Sequence, residues 1–334
     1  MSKVVIIAEV GVNHNARLDW ALKLVDQAVL VGADAVKFQT AIPEMVATRL
    51  ADKADYQKKV TGNGESQLDM IRKLLLPIEA FREISDYCRK KGILFFSTAF
   101  DSFSLDYLEC LDQPIHKIPS GEITNLPYLR QVGGYAKPVI LSTGMATLGE
   151  IEVAINALEI AGTPRSRITV LHCNTDYPTH VDDVNLLAMQ TIKAAFGVEV
   201  GYSDHTDGIE VAVAAVALGA RMIEKHMTLD RQLPGPDHKA SLERAEFKSM
   251  VLAIRNVESA LGSSKKQPSN SEMRNRLAAR RSLVALTSIK VGEKFSAKNM
   301  TAKRPATGIS PMRWDEVVGR VALHNFEPDD LIKL

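Results

Sequence analysis

The sequence has little that would tie it to an oxidising compartment, a membrane or a charged polymer. Cysteine is scarce: Cys88, Cys110 and Cys173 are odd in number and lack CxxC spacing, which argues against a disulfide framework or a zinc knuckle and fits a reducing cytoplasm. No apolar run approaches the roughly 18 residues that a spanning helix needs. The short run after Met1, Ser2 and Lys3 lacks the length and the small-residue cleavage site of a signal peptide, so a cytoplasmic protein without membrane attachment is expected. Excess charge is also missing: 41 Lys plus Arg stand against 40 Asp plus Glu, a net charge of +1. No long-range field draws nucleic acid, and an anionic ligand has to be held by local charges.

What is present is ordinary globular material, 46% hydrophobic and 24% charged in 334 residues, enough for one large domain or two. Eight β-branched runs, at 4–8, 35–38, 94–97, 116–118, 139–141, 169–172, 199–202 and 222–224, alternate with stretches of helical period such as 19–31, 78–91, 148–161 and 209–218. Gly32, Gly92, Gly162 and Gly219 stand at helix stops. Eight βα units in about 260 residues predict an α/β fold, a (β/α)8 TIM barrel over 1–262. The run GSSKKQPSNSEMRNR carries no apolar period and reads as a linker, 263–280. From 281 to 334, short runs punctuated by Gly292, Pro305, Gly308 and Pro328 predict a small β-rich domain.

A barrel builds its site at the C-terminal ends of the strands, and there the sequence is polar on every strand. Glu9, Asn13 and His14 end the first run; Lys37 and Gln39 the second; Ser97 and Thr98 the third; Lys117, Ser120 and Glu122 the fourth. Ser142 and Thr143, then His172, Asn174 and Thr175, then Ser203, Asp204 and His205, and finally Lys225 and His226 close the other four. Two lysines with Thr98, Ser120, Ser142 and Ser203 suit a phosphate and a carboxylate. His205 and His226, on neighbouring strands, are candidates for one divalent ion with open positions; His14, His116, His172 and His238 compete for that role. Cys173 reads as packing rather than as a thiolate. Asp237, in LPGPDH, sits on a rigid loop where a carboxylate accepts sugar hydroxyls, and Gly62-Asn63-Gly64 reads as a plain loop, with no strand before it.

The runs AEVGVNHN, AVKFQT, FSTAFD, HKIPSGE, LSTGMAT, LHCNTDYPT, YSDHT, EKHMTLD, PGPDHKASL and AKRPATGISP resemble, in order, those of the bacterial sialic acid (N-acetylneuraminate) synthases, a family that includes legionaminic and pseudaminic acid synthases. The resemblance implies a barrel followed by a small antifreeze-like (SAF) domain, in a domain-swapped homodimer. It also implies condensation of phosphoenolpyruvate with N-acetylmannosamine and water, with C–O cleavage, using Mn²⁺ or Mg²⁺. Position by position, it implies a catalytic Glu9, metal ligands His205 and His226, and ligand contacts from Lys37 and Gln39. Thr98, Lys117, Ser120, Ser142 and Ser203 match the phosphoenolpyruvate contacts, with Asn174 or Thr175 as a further one. Glu122, Tyr177 and Asp237 match positions near the sugar, and Arg304 matches an arginine that one subunit sends into the other's barrel.

The alternative acceptor is a 2,4-diacetamido-6-deoxy sugar, as for legionaminic or pseudaminic acid synthases. A Schiff-base aldolase using Lys37, Lys117 or Lys225 leaves the histidine pair without a role. A synthase acting on a phosphosugar usually needs further arginines for the second phosphate, and the barrel sequence shows no such cluster. A carbohydrate-binding tail has only Trp314, Phe295 and Phe326 as large rings.

Overall fold

The computed structural model describes residues 3–62 and 64–334; Asn63, in the middle of the Gly62–Gly64 loop, lies outside the described residues. Eight parallel strands close into a barrel in sequence order. They are β1 (Val5–Gly11), β2 (Ala35–Thr40), β3 (Leu94–Ala99), β4 (His116–Ile118), β5 (Val139–Ser142), β6 (Ile168–Cys173), β7 (Glu199–Asp204) and β8 (Met222–His226). Parallel strands need crossovers, and helices provide them. The first is α1 (Leu18–Val31), whose Ala21, Leu24, Val25, Ala28 and Val31 are buried at helical spacing and whose stop, Gly32, takes a left-handed φ of 83°.

The connection from β2 to β3 departs from the simple pattern. It holds three short helices, α2 (Pro43–Val46), α3 (Asp55–Thr61) and α4 (Gln67–Leu74), before the crossover helix α5 (Ala80–Lys91). The later crossovers are α6 (Ser102–Cys110), α7 (Leu126–Gly134), α8 (Leu148–Ala161), α9 (Ala188–Phe196), α10 (Glu210–Ala217) and α11 (Arg244–Leu261). Among the described residues no helix is long and apolar enough to cross a membrane.

Residues 263–334 form a second compact unit. Its first part, read above as a linker, contains α12 (Asn270–Ala279), which has no buried residue. Local chemistry makes this helix: the Glu272 amide donates to Ser269 Oγ at 3.2 Å and the Ser269 amide to Glu272 Oε2 at 2.8 Å, a reciprocal cap. The rest pairs β9 (Ser282–Ala285) antiparallel with β10 (Met300–Lys303) over a core that includes Leu283, Ile289, Phe295, Phe326 and Ile332.

Inside the barrel, Ile7, Ala35, Phe96, Ile140 and Leu171, with Ile115 and Met222, form an apolar plug. Gly201 belongs there for want of room: a Cβ on it would lie 2.5 Å from the Met222 carbonyl and 2.6 Å from Leu171 Cδ2. Lys225 takes the opposite face of β8. It is fully buried, pairs with the equally buried Asp204 at 2.9 Å and donates to the Thr206 carbonyl. Removing one partner of such a pair strands the other charge in the interior, so Asp204→Asn is expected to lower the unfolding free energy by about 3–5 kcal/mol. Urea denaturation measures it; a loss of less than about 1 kcal/mol, the worth of a surface pair, would contradict this role.

Candidate active site

Side chains alternate along a strand, so the residue two places beyond each plug residue points the same way. That rule carries Ile7 to Glu9, Ala35 to Lys37, Phe96 to Thr98, Ile115 to Lys117, Ile140 to Ser142, Leu171 to Cys173 and Met222 to Glu224. All seven line one cavity of about 450 Å³ at the C-terminal end of the barrel. Gln39, Ser120, Thr175, Tyr177, Ser203, His205, His226 and Asp237 line it too.

The floor of this cavity is an ionic network. Lys37 Nζ lies 3.0 Å from Glu9 Oε2 and 3.6 Å from Glu224 Oε2, and donates to Thr98 Oγ1 at 3.0 Å. Lys117 Nζ donates to Glu224 Oε1 at 3.0 Å, and Ser203 Oγ donates to the same oxygen at 2.8 Å. Gln39 Nε2 donates to Glu9 Oε1 at 3.2 Å. Among the described residues, Oε2 of each carboxylate has no hydrogen-bond partner and lies beside the Lys37 ammonium. At an effective dielectric constant of about 20, a pair about 3 Å apart gains about 5 kcal/mol, comparable with the several kcal/mol that each ion loses on leaving water. Such a cluster brings little stability, and its retention points to chemistry.

The two carboxylates are held differently. Burial, partly offset by the Lys37 ammonium, lifts the Glu9 carboxyl to about 7. Glu224 moves the other way: against burial, Lys117 and then Lys37 hold it ionised below the usual range. Lys37 is likewise pushed up, the carboxylates of Glu224 and Glu9 outweighing its burial, whereas burial lowers Lys117 despite Glu224. The upward shift of Glu9 and that of Lys37 pull in opposite directions within one pair. Glu224 accounts for both: its negative charge adds to the burial that raises Glu9 and, with the nearer Glu9, raises Lys37. Burial also raises Asp237 to about 6, against the pull of Lys37.

His205 and His226 face each other above this floor, ring centroids 5.4 Å apart. His205 Nδ1 meets the Asn174 carbonyl at 2.6 Å, which fixes that nitrogen as the N–H and leaves Nε2 a lone pair. Burial lowers His205 to about 4, and burial with the adjacent His205 ring pushes His226 well below its usual value. His226 Nδ1 is buried without a partner. Two neutral imidazoles on one cavity, one with its tautomer fixed and one with an unpartnered nitrogen, suit a divalent cation. Among the described residues no group of three or more His, Cys, Asp or Glu side chains converges on a cation site, so water and substrate would supply the remaining positions. Tyr177 stacks on His205 at 4.1 Å, and Tyr56 stacks on Tyr177 at 4.9 Å.

Three candidates fall outside this gathering. Glu122 Oε2 accepts from Asn125 Nδ2 at 2.6 Å and does not line the cavity. Asn174 is likewise absent from the wall: its side chain is tied to the Asp183 carbonyl and the Asp176 amide, its carbonyl orients His205, and its neighbour Thr175 lines the cavity. Arg304 is exposed and follows β10 in the second unit. Of the competing histidines, His14 stacks on Phe38 at 6.1 Å, His116 is bound by Glu109 and Gln113, His172 by the Val184 carbonyl and His238 by Thr228. Sequence reading missed Glu224 and Tyr56. The signal for Glu224 was the strand MIEKH, in which Glu224 and His226 share one face.

The chain is similar to known proteins along its whole length. The NeuB family model matches residues 24–266, and the SAF domain model residues 280–334. The chain is 52% identical over 333 residues, covering 100% of both proteins, to N,N'-diacetyllegionaminic acid synthase of Campylobacter jejuni. It is 38% identical to pseudaminic acid synthase of the same species, covering 99% of this chain and 96% of that protein. The solved N-acetylneuraminic acid (sialic acid) synthetase of Leptospira borgpetersenii, in complex with citrate, matches with a TM-score of 0.71 at 34% identity, covering 82% of this chain and 90% of that chain.

The electrostatic role of Glu224 is open to test with inorganic phosphate alone. Glu224→Gln leaves the Lys37 and Lys117 ammonium groups short of a counter-charge, so the variant is expected to lose about 3–5 kcal/mol and to regain part of it when phosphate fills the gap. Thermal melts should show a larger phosphate-induced rise for the variant than for the unchanged protein. Equal rises would mean that Glu224 does not set the affinity of the two lysines for an anion.

Proposed function

The chain belongs to the NeuB family, and from that premise we propose that it joins phosphoenolpyruvate, a 2,4-diacetamido-6-deoxy aldose and water, with release of phosphate, as an N,N'-diacetyllegionaminic acid synthase. The motifs alone favour N-acetylmannosamine as acceptor; the relatives move the assignment to the diacetamido sugar. The observation that carries it is end-to-end identity with a legionaminic acid synthase, well above the identity with a pseudaminic acid synthase.

The cavity has the groups this reaction needs. Lys37 and Lys117, with the hydroxyls of Thr98, Ser120, Ser142 and Ser203, offer charge and donors to the phosphate and carboxylate of phosphoenolpyruvate. Thr175 adds a hydroxyl at the same wall, and Tyr177 and Asp237 take the sugar side. His205 and His226 would hold Mn²⁺ or Mg²⁺, which when bound polarises the acceptor's aldehyde. C3 of phosphoenolpyruvate bonds to that aldehyde carbon, water adds at C2, and phosphate leaves with C–O cleavage. Glu9, held by Gln39 and half protonated near neutrality, is suited to take a proton from the water or to give one to the acceptor oxygen. A Schiff-base route fits poorly: Lys225 is sealed against Asp204 and Lys37 is kept protonated by two carboxylates, while Lys117, though lowered by burial, is held by Glu224, and the route leaves the histidine pair without a role. The free cysteines support a cytoplasmic setting.

Phosphate release with a panel of sugars tests the assignment. Turnover should be fastest with the 2,4-diacetamido-6-deoxy aldose, vanish on chelation and return with Mn²⁺. A preference for N-acetylmannosamine would contradict the acceptor, and full activity in chelator would contradict the metal.

The homodimer is part of the same proposal, with Arg304 of one copy completing the sugar end of the other's barrel. Glu9→Gln and Arg304→Ala should each be nearly inactive, the first because a lost acid–base group costs about 10²–10⁴ in rate. Refolded together, they should regain activity, since a mixed dimer then holds one intact site. No recovery would place Arg304 in the site of its own chain or outside the site altogether.

A further inference from the structure

The cavity has two unlike halves. Its charged groups come from the strand ends and from the loop carrying Asp237, whereas the described residues of the β2–β3 segment contribute no charged side chain to the wall. What that segment presents is chiefly apolar: Val46 from α2, Met70, Ile71 and Leu74 from α4, and Leu75 just beyond, with Tyr56 and Gln57 of α3 and Gln67 of α4 as its polar groups.

This apolar wall is held in place by contacts of its own. Arg72 of α4 donates to Glu44 of α2 at 2.8 Å. Lys53, nearly fully buried, donates to Thr61 Oγ1 at 2.9 Å and lies 3.7 Å from Glu65. Ser66 Oγ caps α4 by accepting from the Asp69 amide at 3.2 Å, and Tyr56 is stacked through Tyr177 onto His205. The segment is thus tied through Tyr56 to the reaction end of the cavity.

We propose that the α2–α4 wall, centred on Ile71 and Leu75, selects the acceptor by its far end, seating the C6 methyl and the C4 acetamido methyl of a diacetamido-6-deoxy sugar. This rests on the acceptor assigned above and adds the residues that enforce it. The reacting aldehyde carbon belongs beside His205, His226 and Glu9, so carbons 4 to 6 extend away from the charged floor. A methyl there displaces water from aliphatic carbon. A C6 hydroxyl in the same place gives up its water and gains no partner from Ile71 or Leu75. Discrimination of this kind is about 10-fold to 200-fold per group.

The test compares kcat/KM for three acceptors: the 2,4-diacetamido-6-deoxy aldose, the same sugar carrying a 6-hydroxyl, and N-acetylmannosamine. Phosphate release is read for the unchanged protein, Ile71→Thr and Leu75→Gln, with the KM for phosphoenolpyruvate as a control on the charged half. The unchanged protein is expected to favour the deoxy sugar over its 6-hydroxy counterpart by at least about 10-fold. Both variants should reduce that ratio several-fold and leave the phosphoenolpyruvate KM unchanged. Ile71→Thr alters shape little, so it serves if Leu75→Gln does not fold. A ratio unchanged in a folded variant overturns the role of the wall while leaving the acceptor assignment standing; an unchanged protein that prefers N-acetylmannosamine overturns the assignment itself.

Discussion

One carboxylate shared by two lysines governs this site. Glu224 sits against both Lys37 and Lys117, on the far side of an apolar plug that keeps water from reaching them through the barrel. Without Glu224 the two ammonium groups would repel each other in a poorly solvated space. Glu224 also bears on the state of Glu9: burial, opposed by the Lys37 ammonium and reinforced by the Glu224 charge, lifts that carboxyl to about 7. Two glutamates beside one lysine are thereby held differently, Glu224 ionised and Glu9 raised to about 7, an arrangement suited to acid–base chemistry near neutrality.

The same logic extends to the histidines. Their burial keeps them neutral, the form that binds a cation, and the Asn174 carbonyl decides which nitrogen of His205 is free. The stack from His205 through Tyr177 to Tyr56 then ties the cavity's reactive end to the β2–β3 segment. Charge is concentrated on the rigid barrel strands and shape on a segment inserted between two of them. On the proposal made above, this division lets one reaction centre be combined with different acceptor walls.

Much of this was legible in the residues. Eight short β-branched runs alternating with stretches of helical period, and the glycine stops, implied a barrel, and the polar residues after each run marked the end where a site would form. Glu224 was not legible, because in MIEKH it reads as part of a strand; only pairing it with His226 on one face reveals it. Asn174 and Thr175 could not be told apart, since adjacent residues point to opposite sides and the backbone alone decides which faces inward. The short helices α2 to α4 bury few residues, and α12 none, so the apolar period that announces a helix is weak or missing there. The Ser269 and Glu272 pair was nevertheless a visible cap for α12.

The most direct measurement is a crystal structure of the metal-free protein with phosphoenolpyruvate bound. The ionic floor requires its phosphate and carboxylate to lie within hydrogen-bond reach of Lys37 and Lys117, with Glu224 still in contact with at least one of them. Density for phosphoenolpyruvate elsewhere in the barrel, with both lysines still paired only to Glu9 and Glu224, would contradict the assignment of this cluster as the reaction centre.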